Sequence, residues 1–413
     1  MPTAVRARGW GAVLLVALGA TVAQAFGRFT YSVLLPAVRD DLGISNTVAG
    51  LLGTANVGAY LLGTLLIIRA TATVRLLTIM RVGLALSLSG LVIAGMAPNG
   101  PVLAVGLVVM GLGGACIWIP SPAIAAAGVP EERRGLAVGM IGAGIGVGIV
   151  FAGRLAEVLR GRWGAEAWQD LYRIEAVIGV AVALAIVALL RPTAGRDPVP
   201  ARASSGLAVL RTMPGWVPLT LAYAAFGFSY LLAITYLTAR LEDDAGYSEG
   251  RAAAMFALVG LATVVGGVVL GAIADRVGPR LALVGGFATF AAGAAAVLTG
   301  REVVVAAGAV AIGTMFGGLP SVIATYIVQA SDHVSYGPRY AVATLAFGIA
   351  QVTSPQVGGL LADVTGSFTV VFALSCGVAL LGAVSSSMLP SPRAAAAVAT
   401  TAPADDAVPV ERR

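Results

Sequence analysis

Arg28 sits inside an apolar stretch running from residue 10 to 38, with Thr21, Gln24 and Tyr31 around it at intervals of three, four and three. On an α-helix those intervals put all four side chains on one face. A guanidinium inside hydrocarbon costs several kcal/mol unless it meets a polar cavity or a partner. Arg28 lies about ten residues from the C-terminal end of the stretch, roughly 15 Å at the helical rise, too deep for easy snorkelling. Its planar fork of donors suits a carboxylate held by two parallel hydrogen bonds. A structural guanidinium bonded to helix carbonyls is the competing reading. No Asp, Glu or His stands clearly at mid-stretch to neutralise Arg28. Glu175 comes closest, a turn into its segment, and Glu157 ends another. Proton coupling through a buried carboxylate is therefore disfavoured.

Other polar groups recur at helical spacing. Tyr223, Phe226 and Tyr230 stand three and four apart, and Thr344, Gln351 and Ser354 share a face. Ser321 and Thr325 lie near Tyr326 and Gln329, and Trp118 precedes Pro120 and Pro122, which should kink their helix near its middle. The expected substrate-binding set is Arg28, Gln24, Tyr31, Trp118, Tyr223, Tyr230, Ser321, Tyr326 and Gln351. Each has a plainer reading: aromatics as packing, Ser and Thr bonded to their own helix carbonyls, Gln351 as an interhelical hydrogen bond.

The elements that position these groups follow from composition. Of 413 residues, 58% are hydrophobic and only 11% charged, with a mean hydropathy of +0.92, whereas soluble domains carry about 25% charge. Most of the chain must sit in lipid, as an all-α membrane protein, because hydrogen bonding there forces each crossing to be helical. Cys116 and Cys376 stand alone and His333 is the one histidine, so no disulfide framework, metal set or cofactor is expected. No arginine run is interleaved with aromatics, which argues against nucleic acid as the partner of a net charge of +6. Arg6 and Arg8 followed by Val13 to Val22 imitate a signal peptide, but the apolar stretch is long enough to span.

Cutting at charge clusters and Gly/Pro breaks gives twelve segments: 10–38, 45–68, 75–97, 101–127, 135–159, 171–190, 215–239, 250–273, 279–299, 302–330, 338–361 and 366–389. Loops on the side of the N-terminus hold 17 of the 26 basic residues against 8 on the other, where Asp40-Asp41 and Glu242-Asp243-Asp244 also lie. The positive-inside rule then places both termini in the cytoplasm of a cell-membrane protein. The expected organisation is a six-helix bundle over 1–190, a cytoplasmic linker over 191–214, a second bundle over 215–389 and a disordered tail over 390–413. Matches at an offset of 200 residues, Ala25-Phe26-Gly27 with Ala225-Phe226-Gly227 and Pro120-Ser121 with Pro320-Ser321, support two pseudo-symmetric halves.

Between segments 8 and 9 stands Gly271-Ala-Ile-Ala-Asp275-Arg276-Val-Gly278-Pro-Arg280. This resembles the cytoplasmic loop signature of the major facilitator superfamily, and the resemblance covers residues 10–390. It implies two bundles rocking about a central site lined by segments 1, 4, 7 and 10. It also implies that Gly271, Asp275, Arg276, Gly278 and Arg280 brace a cytoplasmic gate, with Arg339 or the start of segment 11 as partner of Asp275. Gly139, Gly142, Gly144, Gly146 and Gly148 are similar to the glycine-rich fifth helix of the family's exporters, without its proline. The loop between segments 2 and 3 departs from the signature: Gly63 and Arg69 remain, but Ile67 occupies the aspartate position. Glu131 and Glu132 are then candidate partners of Arg69 in a charge-reversed latch, or simply solvated loop charges. Phe26-Gly27-Arg28-Phe29 and Tyr223 to Tyr230 resemble a bacterial branch with some likeness to carriers of monocarboxylates and cyanate.

The leading expectation is a secondary or facilitative transporter, acting as a monomer on a small organic anion or zwitterion. The alternatives are efflux of a drug-like or secondary metabolite and, remotely, a membrane sensor without flux. No nucleophile-and-base pair or metal set appears, so an enzyme is not expected.

Overall fold

A computed structural model describes residues 9–390 except 71–72, 128, 131–132, 191–210, 212 and 332–335. Twelve long helices carry the described chain: α1 Trp10–Leu42, α2 Asn46–Ala70, α3 Leu76–Gly95, α4 Gly100–Ala127, α5 Arg134–Trp163, α6 Trp168–Leu189, α7 Trp216–Asp244, α8 Glu249–Val277, α9 Pro279–Leu298, α10 Glu302–Gln329, α11 Tyr336–Thr365 and α12 Thr369–Ser387. Each matches one sequence segment, with ends a few residues longer or shorter. Among the described residues, eleven helices are long and apolar enough to cross a bilayer by length and composition, and α11 completes the twelve. The linker expected over 191–214 and the tail over 390–413 fall almost wholly outside the described residues.

Local chemistry sets the helix ends. Gly43 closes α1 in the left-handed region at φ 59°, where a Cβ would be penalised. Asn99 caps α4, its Oδ1 accepting from the Val102 N–H at 3.1 Å, with Pro101 in the first turn where a missing N–H costs nothing. The Pro120 kink is realised as a break: α4 runs helical to Trp118 and resumes at Ser121.

The helices form two six-helix bundles, α1–α6 and α7–α12, which meet along α5 with α8, α2 with α11, and α1 with α7. The glycines of α5 serve two different neighbours. A Cβ on Gly144 would lie 2.9 Å from the Ala17 carbonyl oxygen, and one on Gly148 2.4 Å from the Ala25 Cβ, both on α1. A Cβ on Gly146 would instead meet Val264 of α8 at 2.7 Å. These glycines let backbones approach closely, the main attraction open to helices in lipid.

One end of the molecule holds Trp10, Leu189 and Ser387, and is called here the terminal end; the far end holds Leu42, Asn46 and Asp244. At the far end the two bundles are linked. Arg39 forms an ion pair with Asp243, and both arms of Arg160 reach Glu242 at 2.7 and 2.9 Å. Thr238 Oγ1 donates to the Ser32 carbonyl at 3.0 Å. At the terminal end Gly139, Gly142 and Gly271 face open space. The far end is closed by the Arg39–Asp243, Arg160–Glu242 and Thr238–Ser32 contacts between the bundles.

Candidate functional site

The residues around Arg28 do not share one helical face, contrary to the sequence expectation. Thr21–Phe29 is wound as a π-helix, whose i→i+5 bonds break the 3.6-residue period on which that expectation rests, and such segments concentrate at functional sites. The four polar side chains consequently reach four different helices. Thr21 Oγ1 donates to the Gly144 carbonyl of α5 at 2.8 Å, and Gln24 Nε2 to Gly114 of α4 at 3.2 Å. Tyr31 donates its hydroxyl to Ala49 of α2 at 2.7 Å, while Arg28 Nη2 donates to the Tyr230 hydroxyl of α7 at 3.3 Å. Gln24 and Tyr31 thus spend these donors on backbone.

Arg28 keeps unused donor capacity on a charged group. Its Nε is buried with no hydrogen-bond partner, and among the described residues no carboxylate pairs with it. Its guanidinium lies 5.4 Å from the Tyr60 ring centroid and 5.7 Å from that of Phe29. Cation–π contacts contribute about 0.5–2 kcal/mol each and a neutral hydrogen bond about 1. Removing the charge from water costs several kcal/mol. The balance leaves Arg28 short of an anionic partner.

A ring stack extends from this cation into the other bundle. Tyr230 packs between Phe226 and Phe316, each with a centroid separation of 4.9 Å, and Phe347 lies 6.1 Å away. Phe316 also meets Phe29 edge-on at 5.4 Å. Gln351 Nε2 donates to the Tyr230 hydroxyl, so that oxygen accepts from both Gln351 and Arg28. Tyr223 stacks on Phe347 at 4.6 Å, its hydroxyl 3.5 Å from that of Tyr340. Toward the far end, Arg28, Tyr31, Asn56, Thr235 and Pro355 line a cavity of about 10 Å³, room for roughly one water.

Arg28, Tyr31, Tyr223, Tyr230 and Gln351 therefore converge on one region, with Gln24 behind Arg28. The remaining expected site residues are placed elsewhere. Trp118 is half-buried at the α4 break. Ser321 is exposed, its Oγ 3.5 Å from the Gly317 carbonyl of its own helix. Tyr326 is wholly buried near the terminal end, donating its hydroxyl to Pro390 at 3.0 Å.

Among the gate residues, Gly278 has φ 85°, a conformation open to glycine, between α8 and α9. Asp275 and Arg276 are exposed, and Asp275 has no partner among the described residues. Arg280 donates to the Ser387 carbonyl. Arg339 is 4% exposed and donates to Ser331 Oγ at 3.1 Å. Glu131 and the side chain of Arg69 lie outside the described residues.

Sequence reasoning missed several groups. Asn56 and Tyr60, one helical turn apart on α2, were the available signal for a polar wall there; Asn56 Nδ2 ties Gly27 at 3.0 Å to Leu107 at 2.8 Å. Phe316 and Phe347 carry no mark separating them from packing aromatics. Glu175, the carboxylate that the sequence placed nearest mid-membrane, is 0% exposed, with Oε1 accepting from Thr30 Oγ1 at 2.6 Å and Oε2 buried without a partner.

A family model described as "Uncharacterised MFS-type transporter YbfB" matches residues 20–387. "Uncharacterized MFS-type transporter YfhI" of Bacillus subtilis (strain 168) is 25% identical over 397 residues, 89% of this chain and 92% of that protein. "Uncharacterized MFS-type transporter YbcL" of the same organism is 25% identical over 261 residues, 62% of this chain and 65% of that protein, so this alignment spans just under two thirds of the relative. Among solved structures, the nucleoside transporter NupG superposes with a TM-score of 0.73 at 11% identity, covering 91% of this chain and 98% of that one. A D-xylose-proton symporter gives 0.72 at 13%, covering 92% and 98%. A bacterial homologue of the human lysosomal transporter Spinster, inward-facing and unoccupied, gives 0.68 at 17%, covering 94% and 93%. At these identities the solved structures speak for the fold alone.

Proposed function

The chain belongs to the major facilitator superfamily, and from that membership we propose that it carries a small organic anion or zwitterion across the cytoplasmic membrane, with Arg28 as the charge partner. Membrane transport by a multi-pass, non-enzymatic protein is what the family provides; the anion is what the site adds. The observation carrying this reading is Arg28 itself, a guanidinium at the seam of the two bundles with a buried, unpartnered Nε and no carboxylate paired to it among the described residues. A carboxylate there gains a charge-assisted pair in place of a neutral tyrosine contact. The rings of Tyr230, Phe226, Phe316 and Phe347 favour a ligand whose anionic group is joined to an apolar or planar body.

With the terminal end assigned to the cytoplasm by the arginine bias, the closed far end and an Asp275 with no partner among the described residues support reading the structure as an inward-facing state of a monomeric carrier. The anion enters from that side and engages Arg28 and Tyr230, which already meet across the seam, taking the place of the neutral contact between them.

The test is thermal unfolding of the purified protein against a panel of short aliphatic, aromatic and amino-bearing carboxylates. A ligand that binds the folded state raises the midpoint as its concentration passes Kd. At least one carboxylate should do so while its methyl ester does not. Equal shifts from acids and esters would argue instead for a site selecting on apolar bulk.

A further inference from the structure

The skeleton of the signature around Asp275 occurs a second time, at the opposite end of the molecule. Gly271, Asp275 and Gly278 are separated by four and three residues, and so are Gly359, Asp363 and Gly366. In each triplet the helix ends just before the last glycine, α8 at Val277 and α11 at Thr365. Both final glycines have positive φ, 85° at Gly278 and 67° at Gly366. In so glycine-rich a chain the spacing alone could be coincidence; the contacts are what give it meaning.

The two aspartates are in opposite situations. Asp275 is exposed and has no partner among the described residues. Asp363 Oδ1 accepts the Asn46 N–H at 3.0 Å, and Oδ2 accepts the Thr47 N–H at 2.7 Å together with the Thr47 hydroxyl. Asn46 and Thr47 open α2, whose first N–H groups have no intrahelical acceptor and whose N-terminus carries the positive end of the helix dipole. A carboxylate of one bundle thus caps a helix of the other. The glycines show the same asymmetry: a Cβ on Gly271 would meet nothing within 4 Å, whereas one on Gly359 would lie 2.2 Å from the Asn46 carbonyl oxygen. Opposite Gly359, a Cβ on Gly50 would lie 2.4 Å from the Pro355 carbonyl oxygen. At the far end α2 and α11 are pressed backbone to backbone, and Asp363 is the group that makes this approach electrostatically favourable.

We propose that Asp363 is a positioning residue of the transport cycle, capping α2 from α11 while the far end is closed and releasing it when that end opens. Asp275 and Asp363 are then engaged in alternate states, each at the end that is shut. This goes beyond the anion assignment and does not depend on it, since the cap forms without substrate. It differs from the Arg39–Asp243 and Arg160–Glu242 links, which join side chain to side chain, in acting on backbone N–H groups.

Pulsed dipolar EPR on the purified full chain, with Cys116→Ser and Cys376→Ser, tests this. One spin-label pair replaces Met96 and Val303, exposed far-end positions in opposite bundles; a second replaces Val74 and Val277 at the terminal end. Relative to the parent, Asp363→Ala should raise the ratio of long to short far-end distances at least about fivefold while the terminal-end distribution shifts shorter. Asp363→Glu, which keeps the carboxylate, should restore much of the parental pattern. A merely structural role would broaden both pairs together. That result, unchanged distributions, or any pattern other than opposite shifts at the two ends would overturn the proposal.

Discussion

Arg28 of α1 and Tyr230 of α7 share a hydrogen bond of 3.3 Å across the seam between the bundles, and Gln351 of α11 donates to the same hydroxyl. The Tyr230 oxygen is therefore the acceptor for two buried donors. Tyr230→Phe keeps the ring stack but strands both donors, which should cost about 1–3 kcal/mol of stability. Thermal unfolding without ligand checks this, and an unchanged midpoint would mean that neither bond contributes.

At the far end, the Arg160 side chain is 2% exposed and Glu242 11%. Removing one member of such a pair strands a charge, at about 3–5 kcal/mol, whereas replacing both by apolar groups is often neutral. Arg160→Met should therefore lower stability sharply, and Arg160→Met with Glu242→Leu should recover most of the loss. Additive losses in the double variant would show that the two residues act separately.

Helix α5 offers a contrast between neighbouring glycines. A Cβ on Gly148 would sit 2.4 Å from Ala25 and 2.6 Å from Thr21 Cγ2, against the π-helical segment that carries Arg28, while one on Gly142 meets nothing within 4 Å. Gly148→Ala should cost about 1–3 kcal/mol, the usual cost of overpacking. Gly142→Ala should leave the unfolding midpoint unchanged or slightly raised, since its Cβ meets no neighbour and alanine favours a helix by about 1 kcal/mol. Equal effects at both positions would contradict the packing described for α5.

Orientation is open to direct labelling. With both termini in the cytoplasm, an impermeant thiol reagent applied to intact cells should modify a cysteine replacing Asp244 and spare one replacing Ser205. Labelling at Ser205 would invert or break the twelve-helix topology.

The fold was legible because lipid leaves the backbone few choices: every apolar run between charge clusters became a helix within a few residues of its expected ends, and the Asp275 signature pointed to the right superfamily. The site was legible only in part. Arg28 stood out because a charge in hydrocarbon needs a reason, and Tyr230 and Gln351 because they recur on faces that meet it. The helical wheel failed at Thr21–Phe29 because π-winding is not encoded by a 3.6-residue pattern. Phe316 and Phe347 escaped notice because their role depends on what packs opposite them. Ser321 and Thr325 took the plainer course of bonding their own helix.

The central claim is that Arg28 selects an anionic group. For a carboxylate that shifts the unfolding midpoint, binding of the acid and of its primary amide is compared in the parent protein, Arg28→Lys and Arg28→Gln. Truncating a buried charge partner costs roughly 2–5 kcal/mol, about 30-fold to several thousand-fold in Kd. The parent should prefer the acid by a factor of that order, Arg28→Lys should bind it weakly because an ammonium cannot form the two-pronged pair, and Arg28→Gln should show no preference. An acid-over-amide preference that survives undiminished in a folded Arg28→Gln protein would contradict the assignment and return Arg28 to a structural role.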